Sequence, residues 1–313
     1  MLVLLPDTMP LSPTLPDGVT VSVYDTQAPL PDSCRDAEVL VVWGNSAANL
    51  TDCAQRLPRL RWVQTLAAGP DAVLRAGFAP SVVVTAGLGL HDRTVAEHAL
   101  ALTLAAARRV NLLVRAQIGG RWAGELGGLQ PVDAPGTFRT LRDANVVIWG
   151  FGGIAGTLAP LLAALGARVT GVARTAGERH GFPVVTAASL PTLLPDTDLL
   201  ISILPGTPET DRVLDAAVFA GLPEHAWVLN VGRGSVLDEE ALVAALRAGR
   251  LGGAALDVFA VEPLPASSPL WDEPNVIISP HAAGGRPEGA DALLSENLAL
   301  FRTGRPLRNV VAR

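Results

Sequence analysis

Short apolar runs rich in β-branched residues recur along the whole chain, separated by stretches of helical character. Over the first part they fall at 2–5, 19–23, 37–43, 60–66 and 81–86. A second series begins mid-chain, at 145–149, 168–172, 198–203, 226–231, 253–258 and 275–279. Strand alternating with helix in this way predicts α/β architecture, with two doubly wound parallel sheets.

The two series are joined by "TVAEHALALTLAAARRV" at 94–110, apolar nearly all round, with Thr94 and Glu97 at capping-box spacing. This predicts one long buried helix at a domain or subunit boundary. The following "GGRWAGELGGLQPVDAPGT", 119–137, is rich in Gly and Pro and reads as an excursion leading into the second sheet. No charged residue occurs from 144 to 167, so hydropathy alone would flag a membrane span there. Four glycines between 150 and 156, with Pro160 behind them, argue against it. They suit a buried strand, a tight turn and a helix packed on the sheet.

Composition narrows the chemistry. A chain of 313 residues has room for two modest domains, and 49% hydrophobic with 17% charged residues is the balance of a folded protein. The net charge is −6 and the 24 basic residues are scattered, which offers no patch to nucleic acid or an acidic bilayer and favours a small-molecule partner. All the basic residues are arginine. Without lysine, a Schiff-base lysine, a Walker-type lysine and a Tyr/Lys proton-transfer pair are excluded. The two cysteines, Cys34 and Cys53, show neither a disulfide framework nor zinc spacing, and the histidines offer no metal-ligand grouping. The opening "MLVLLPDTMP" lacks the basic start of a secretion signal, so a cytoplasmic location is expected.

The glycine cluster follows a predicted strand and opens a predicted helix. Gly150-x-Gly152, with Ala155 at the third position, is the arrangement that lets backbone N–H groups and a helix N-terminus approach a pyrophosphate. Taken alone, the motif also fits a purely structural turn. At the end of the next strand, where a free ribose 2′-hydroxyl would call for a carboxylate, stands Ala173, followed by Arg174 and Thr175. A guanidinium there suits a 2′-phosphate, so NADPH is expected ahead of NADH.

Three further stretches lie at or just beyond the C-terminal ends of predicted strands, the edge where open α/β sheets bind ligands. They are "LNVGRGSVLDEEAL" around Arg233, "GAALDVFAVEPLP" around Asp257 and Glu262, and "ISPHAAGG" around His281. Together with the mid-chain glycine turn and the "LLPGTPET" residues Leu204, Pro205 and Thr207, their order and spacing resemble the D-isomer-specific 2-hydroxyacid dehydrogenases. Within that family they are most similar to the glyoxylate and hydroxypyruvate reductases.

The resemblance covers nearly the whole chain. It implies a Rossmann coenzyme domain, 93–284, inserted in a flavodoxin-like substrate domain, 1–92 completed by 285–313, with the active site in the cleft between them. It implies that Arg233 binds the substrate carboxylate and polarises the ketone, that His281 donates the proton, that Glu262 pairs with the imidazole and that Asp257 faces the nicotinamide amide. The cofactor would be held by Gly150, Gly152, Gly153, Ile154, Arg174, Thr175, Leu204, Pro205, Val231, Asp257 and Ala283.

In the first domain, Ala67-Ala68-Gly69 resembles the family's Gly-Ala-Gly substrate loop with its first glycine replaced. "VVWGNSA" lacks the arginine that relatives acting on phosphorylated acids carry, which favours small unphosphorylated 2-keto acids. Trp43 either walls a small pocket or belongs to the core. Of the other histidines, His98 reads as a packed or interface residue, and His91, His180 and His225 as loop or surface positions. A homodimer through the 95–110 helix is implied by the family. Two other readings are a cofactor-sensing binding protein of the same fold and an NAD-linked oxidation of another small acid.

Overall fold

The computed structural model describes residues 1–129 and 137–312. The chain divides into two compact units, Met1–His91 with Arg286–Arg313, and Asp92–Gly285.

The first unit opens with β1 (Leu2–Pro6), β2 (Thr20–Tyr24), β3 (Val39–Val42), α1 (Ala47–Arg56), β4 (Trp62–Thr65), α2 (Asp71–Arg75) and β5 (Val83–Thr85). Its five strands are all parallel, in the order β2-β1-β3-β4-β5. This is the flavodoxin-like order. β3 and β4 are buried at every position; β3 runs continuously apolar, while β4 carries the buried polar residues Gln64 and Thr65.

The second unit begins with α3 (Asp92–Ala107) and α4 (Val110–Ile118). It continues through β6 (Asn145–Trp149), α5 (Gly153–Ala164), β7 (Arg168–Ala173), β8 (Gly177–Arg179), β9 (Phe182–Thr186), α6 (Leu190–Leu193), β10 (Leu199–Ser202), α7 (Ala216–Gly221), β11 (Trp227–Asn230), α8 (Glu239–Arg247), β12 (Gly253–Leu256) and β13 (Val276–Ile278). The chain then returns to the first unit as α9 (Ala290–Arg302). The second sheet runs β13-β12-β11-β10-β6-β7-β9-β8, with the order reversing between β6 and β10. That is the Rossmann switch point, and ligands bind outside the C-terminal strand ends there. One apolar cluster on this sheet joins α3 and α5, with Leu158, Ala159 and Leu162 fully buried. A second cluster gathers Leu242 and Leu246 of α8 with Phe219 of α7.

Three expectations change. The 94–110 stretch is not one helix: Arg109 takes a left-handed φ of 54° between α3 and α4. The helix starts at Asp92, so Thr94 lies inside it rather than at its N-cap, and the Glu97 carboxylate accepts from Arg93 at 2.9 Å. The segment at 177–186 forms an antiparallel hairpin, β8–β9, on an otherwise parallel sheet. Pro160 lies within α5 as an exposed residue.

The Gly/Pro-rich excursion predicted at 119–137 falls partly on 130–136, outside the described residues. No helix among the described residues is long and apolar enough to cross a membrane.

Candidate functional site

β6 delivers the chain into the glycine turn. Gly150 has φ +100°, and a Cβ there would stand 2.5 Å from the Ile203 carbonyl oxygen, so both conformation and space exclude a side chain. Gly152 is the N-cap of α5 and has no side-chain cap, and a Cβ on it would meet nothing within 4 Å. The first turn of this 12-residue helix is open at Gly152 beside the sheet's switch point, while the Asp92 carboxylate lies where a Cβ on Gly153 would be, so an anion bound at the turn would have Asp92 as a neighbour. This cradle fits a dinucleotide pyrophosphate. Gly153 opens the helix, Ile154 is half-buried behind it, and Arg174 and Thr175 follow β7 as exposed residues.

Beyond β10, the segment from Leu204 to Thr210 is tied to itself. Thr210 Oγ1 donates to the Pro205 carbonyl at 2.6 Å and accepts from the Thr207 N–H at 2.9 Å. Gly206 faces Arg233, whose side-chain carbons lie 3.4–3.5 Å from where its Cβ would be.

Arg233 stands just past β11 in Val231-Gly232-Arg233-Gly234. Its flanking glycines are fixed by steric need. A Cβ on Gly232 would stand 2.5 Å from the Leu204 carbonyl oxygen, and one on Gly234 1.9 Å from the Phe259 carbonyl group. Asn230, fully buried at the end of β11, locks the turn: its Oδ1 accepts from Gly232 N–H (3.1 Å) and its Nδ2 donates to the Arg233 carbonyl (3.0 Å). Sequence reasoning passed over Asn230, although a polar residue closing the apolar run "WVLN" was a signal that it satisfies backbone there.

Asp257 follows β12 and its side chain is 1% exposed. One carboxylate oxygen accepts from the Ser279 hydroxyl and from Ala282 N–H (2.9 Å), the other from Ala283 N–H (3.1 Å). His98 Nε2 lies 3.2 Å from the same carboxylate and 3.0 Å from Ser279 Oγ. The Asp257 carbonyl accepts the His281 N–H at 2.8 Å. Asp257 is therefore the fixed point around which the segment from Ser279 to Ala283 is folded. His98, read from the sequence as a packed or interface residue, touches two members of this network.

His281 leaves that segment with a left-handed φ of 51°. Its Nδ1 is 2.8 Å from Glu262 Oε2, while Glu262 Oε1 accepts the Phe259 N–H at 2.9 Å. With a carboxylate as partner, Nδ1 carries the hydrogen. The imidazole is 49% exposed, which leaves Nε2 accessible to a reactant. Leu204, Val231, Arg233, Asp257, Glu262 and His281 thus come from segments that follow four neighbouring strands, β10 to β13, at one edge of the sheet.

In the first unit, Trp43 and Ala67-Ala68-Gly69 follow the adjacent strands β3 and β4. The Ala67 carbonyl accepts the Gly87 N–H at 2.8 Å, and the Ala67 N–H is 3.2 Å from Thr65 Oγ1. Trp43 is half-buried and stacks on His91, with ring centroids 5.4 Å apart. His91 lies in the turn before α3 and is 4% exposed, with Nε2 2.8 Å from the Leu66 carbonyl, so of the loop or surface reading the loop holds and the surface does not. The apolar neighbours that bury it are distant in sequence, so no local pattern announced it. His225 is also held, by Asp198 at 2.8 Å.

A family model described as "D-isomer specific 2-hydroxyacid dehydrogenase, NAD binding domain" matches residues 100–283. A glyoxylate reductase from Aeropyrum pernix is 32% identical over 305 residues, 94% of this chain and 90% of that protein. A glyoxylate/hydroxypyruvate reductase A from Klebsiella pneumoniae (strain 342) is 43% identical over 127 residues, 40% of this chain, and there the chain spans 41% of the relative's length. Among solved structures, a D-isomer specific 2-hydroxyacid dehydrogenase from Xanthobacter autotrophicus Py2 in complex with NADPH and MES superposes with a TM-score of 0.81 at 31% identity, covering 99% of this chain and 97% of that one. With the family model matched over more than half of its length, the chain belongs to the D-isomer specific 2-hydroxyacid dehydrogenase family.

Proposed function

We propose that the protein reduces a small 2-keto acid of the glyoxylate or hydroxypyruvate type to the D-2-hydroxy acid, with hydride from NADPH. The observation that carries this reading is the His281–Glu262 pair at 2.8 Å, on the sheet edge that also holds Arg233 and the glycine turn. The second unit is assigned the cofactor. The first is assigned substrate recognition through Ala67, Ala68, Gly69 and Trp43.

Gly150, Gly152, Gly153 and Ile154 would hold the pyrophosphate, Arg174 and Thr175 the 2′-phosphate, and Leu204, Pro205, Val231 and Ala283 the remainder of the dinucleotide. When bound, the reduced nicotinamide supplies the hydride. Arg233 fixes the planar carboxylate and stabilises the charge that develops on the ketone oxygen. His281 enters protonated on both nitrogens and gives the Nε2 proton to that oxygen. One hydride and one proton complete the two-electron reduction. Glu262 holds Nδ1–H throughout and stabilises the imidazolium before transfer. Asp257 keeps the segment carrying His281 in place, alongside the role toward the nicotinamide amide that the resemblance implies.

The Xanthobacter relative is in complex with NADPH, and the pairing of Ala173 with Arg174 supports the same cofactor here. A cytoplasmic site of action goes with this reading. A cofactor-sensing binding protein is the rival, and the complete Arg233, Glu262 and His281 set favours the enzyme. His281→Ala separates the two. Turnover should fall by roughly 10²–10⁴-fold while cofactor binding survives, and turnover that persists contradicts the assignment.

A homodimer through the 95–110 stretch is part of the reading, and exposed apolar side chains extend that surface from Leu104 and Val110 along α4 to Ile118, 82% exposed, and Trp122, 95% exposed. Ile118→Asp should convert a dimer to a monomer in light scattering, and an unchanged mass would refute that placement.

A further inference from the structure

The β8–β9 hairpin turns through His180 and Gly181, at φ 54° and 80°, with Arg179 paired to Phe182 across it. Two consecutive positive φ values are those of a type I′ turn, and they fit the twist of a tight antiparallel ribbon. The tip is seated against the nucleotide turn. A Cβ on Gly156 would stand 2.6 Å from the His180 ring, and the Phe151 and His180 rings are 6.4 Å apart.

Arg179 does more than close this hairpin. Its Nη2 donates to both the carbonyl (3.0 Å) and the hydroxyl of Thr175, and its Nη1 donates to the Phe151 carbonyl (3.3 Å). Thr175 belongs to the segment after β7, where a ribose 2′-substituent is read, and Phe151 lies inside the glycine turn. One side chain therefore ties together the two segments that flank the adenosine end of a dinucleotide. It also covers two carbonyl oxygens whose negative ends would repel a phosphate. These bonds use three of the five guanidinium N–H groups, so Nε–H and one Nη1–H are left to donate. Glu178, its neighbour on β8, lies on the opposite face by strand alternation.

We propose that Arg179 is a second specificity-determining cation for a 2′-phosphorylated adenosine, holding the Arg174–Thr175 segment against the glycine turn and adding its charge to that of Arg174. This rests on the NADPH reading above and deepens it. Arg174 follows directly from its place after a parallel strand. Arg179 sits on an edge hairpin outside that scheme.

Calorimetric titration of the purified chain with adenosine 2′,5′-bisphosphate and with adenosine 5′-monophosphate tests it, using wild type, R179Q and R179K. Wild type should bind the bisphosphate more tightly. R179Q should weaken bisphosphate binding by about tenfold or more and monophosphate binding by less than about twofold, because only the former loses a charge-assisted contact. The bisphosphate loss should shrink as salt is raised. R179K keeps the charge without the fork and should fall in between. Wild type that binds both probes alike overturns the NADPH reading and this assignment with it. Wild type that prefers the bisphosphate, with an R179Q that keeps the preference, overturns the assignment alone. Equal losses for both probes would make Arg179 a structural tie and overturn it too. Should R179Q fail to fold, R179K decides alone: a loss confined to the bisphosphate supports the assignment, and an equal loss for both probes overturns it.

Discussion

Glu262 divides its carboxylate between a side chain and the backbone: Oε2 faces His281 Nδ1 at 2.8 Å while Oε1 receives the Phe259 N–H at 2.9 Å. The first contact bears on charge at the imidazole, and the second only on the shape of the loop. Glu262→Gln keeps a carbonyl oxygen for Phe259 and removes the negative charge. It should lower kcat on the order of 10²-fold with little change in KM or in unfolding temperature, as expected when a partner of the proton donor is lost. Steady-state kinetics beside a thermal melt check this, and a loss confined to KM would contradict it.

Asp257 is held by donors from Ser279, Ala282 and Ala283, with His98 at 3.2 Å. Asp257→Asn puts an NH2 group against at least one of those N–H donors in a fully buried place. The variant should lose about 1–3 kcal/mol of stability. It should also lose activity, because His281 is carried by the segment Asp257 fixes. Urea unfolding and kcat, measured on the same preparation, should fall together, and unchanged stability would show that the network is dispensable.

Much of this was legible beforehand. The strands β6, β10, β11 and β12 are short runs of mostly apolar residues and stood out, and Arg233, Asp257, Glu262 and His281 could be placed beyond strand ends from order alone. What escaped was set by distant contacts. β8 is three residues long and, among the described residues, pairs with β9 alone, so its period is too short to read. Asn230 and Ser279 act on backbone and carboxylate groups that the fold brings to them. The break at Arg109 is an arginine in a left-handed conformation, which no glycine or proline announced.

Asp238 offers a test of stability away from the site. It caps α8 by accepting the Ala241 N–H at 3.0 Å, and its hydrogen bond with Arg212 holds its carboxyl below the ordinary carboxylate range. A lowered pKa in the folded state means stabilisation above the unfolded value, which is lost as pH falls through the folded one. Asp238→Ala should therefore cost about 1 kcal/mol at neutral pH, the usual worth of an N-cap. The difference from wild type should shrink in strong acid. Urea titrations at both pH values check the sign, and a gap that widens in acid would reverse it.

The central claim is that this sheet edge reduces a 2-keto acid. The most direct measurement is the fall in reduced-nicotinamide absorbance when the purified protein meets glyoxylate or hydroxypyruvate, run in parallel with NADPH and NADH and repeated with His281→Ala. The account predicts turnover that favours NADPH and collapses in the variant. Cofactor binding without turnover of either acid, or turnover untouched by the loss of His281, would contradict it.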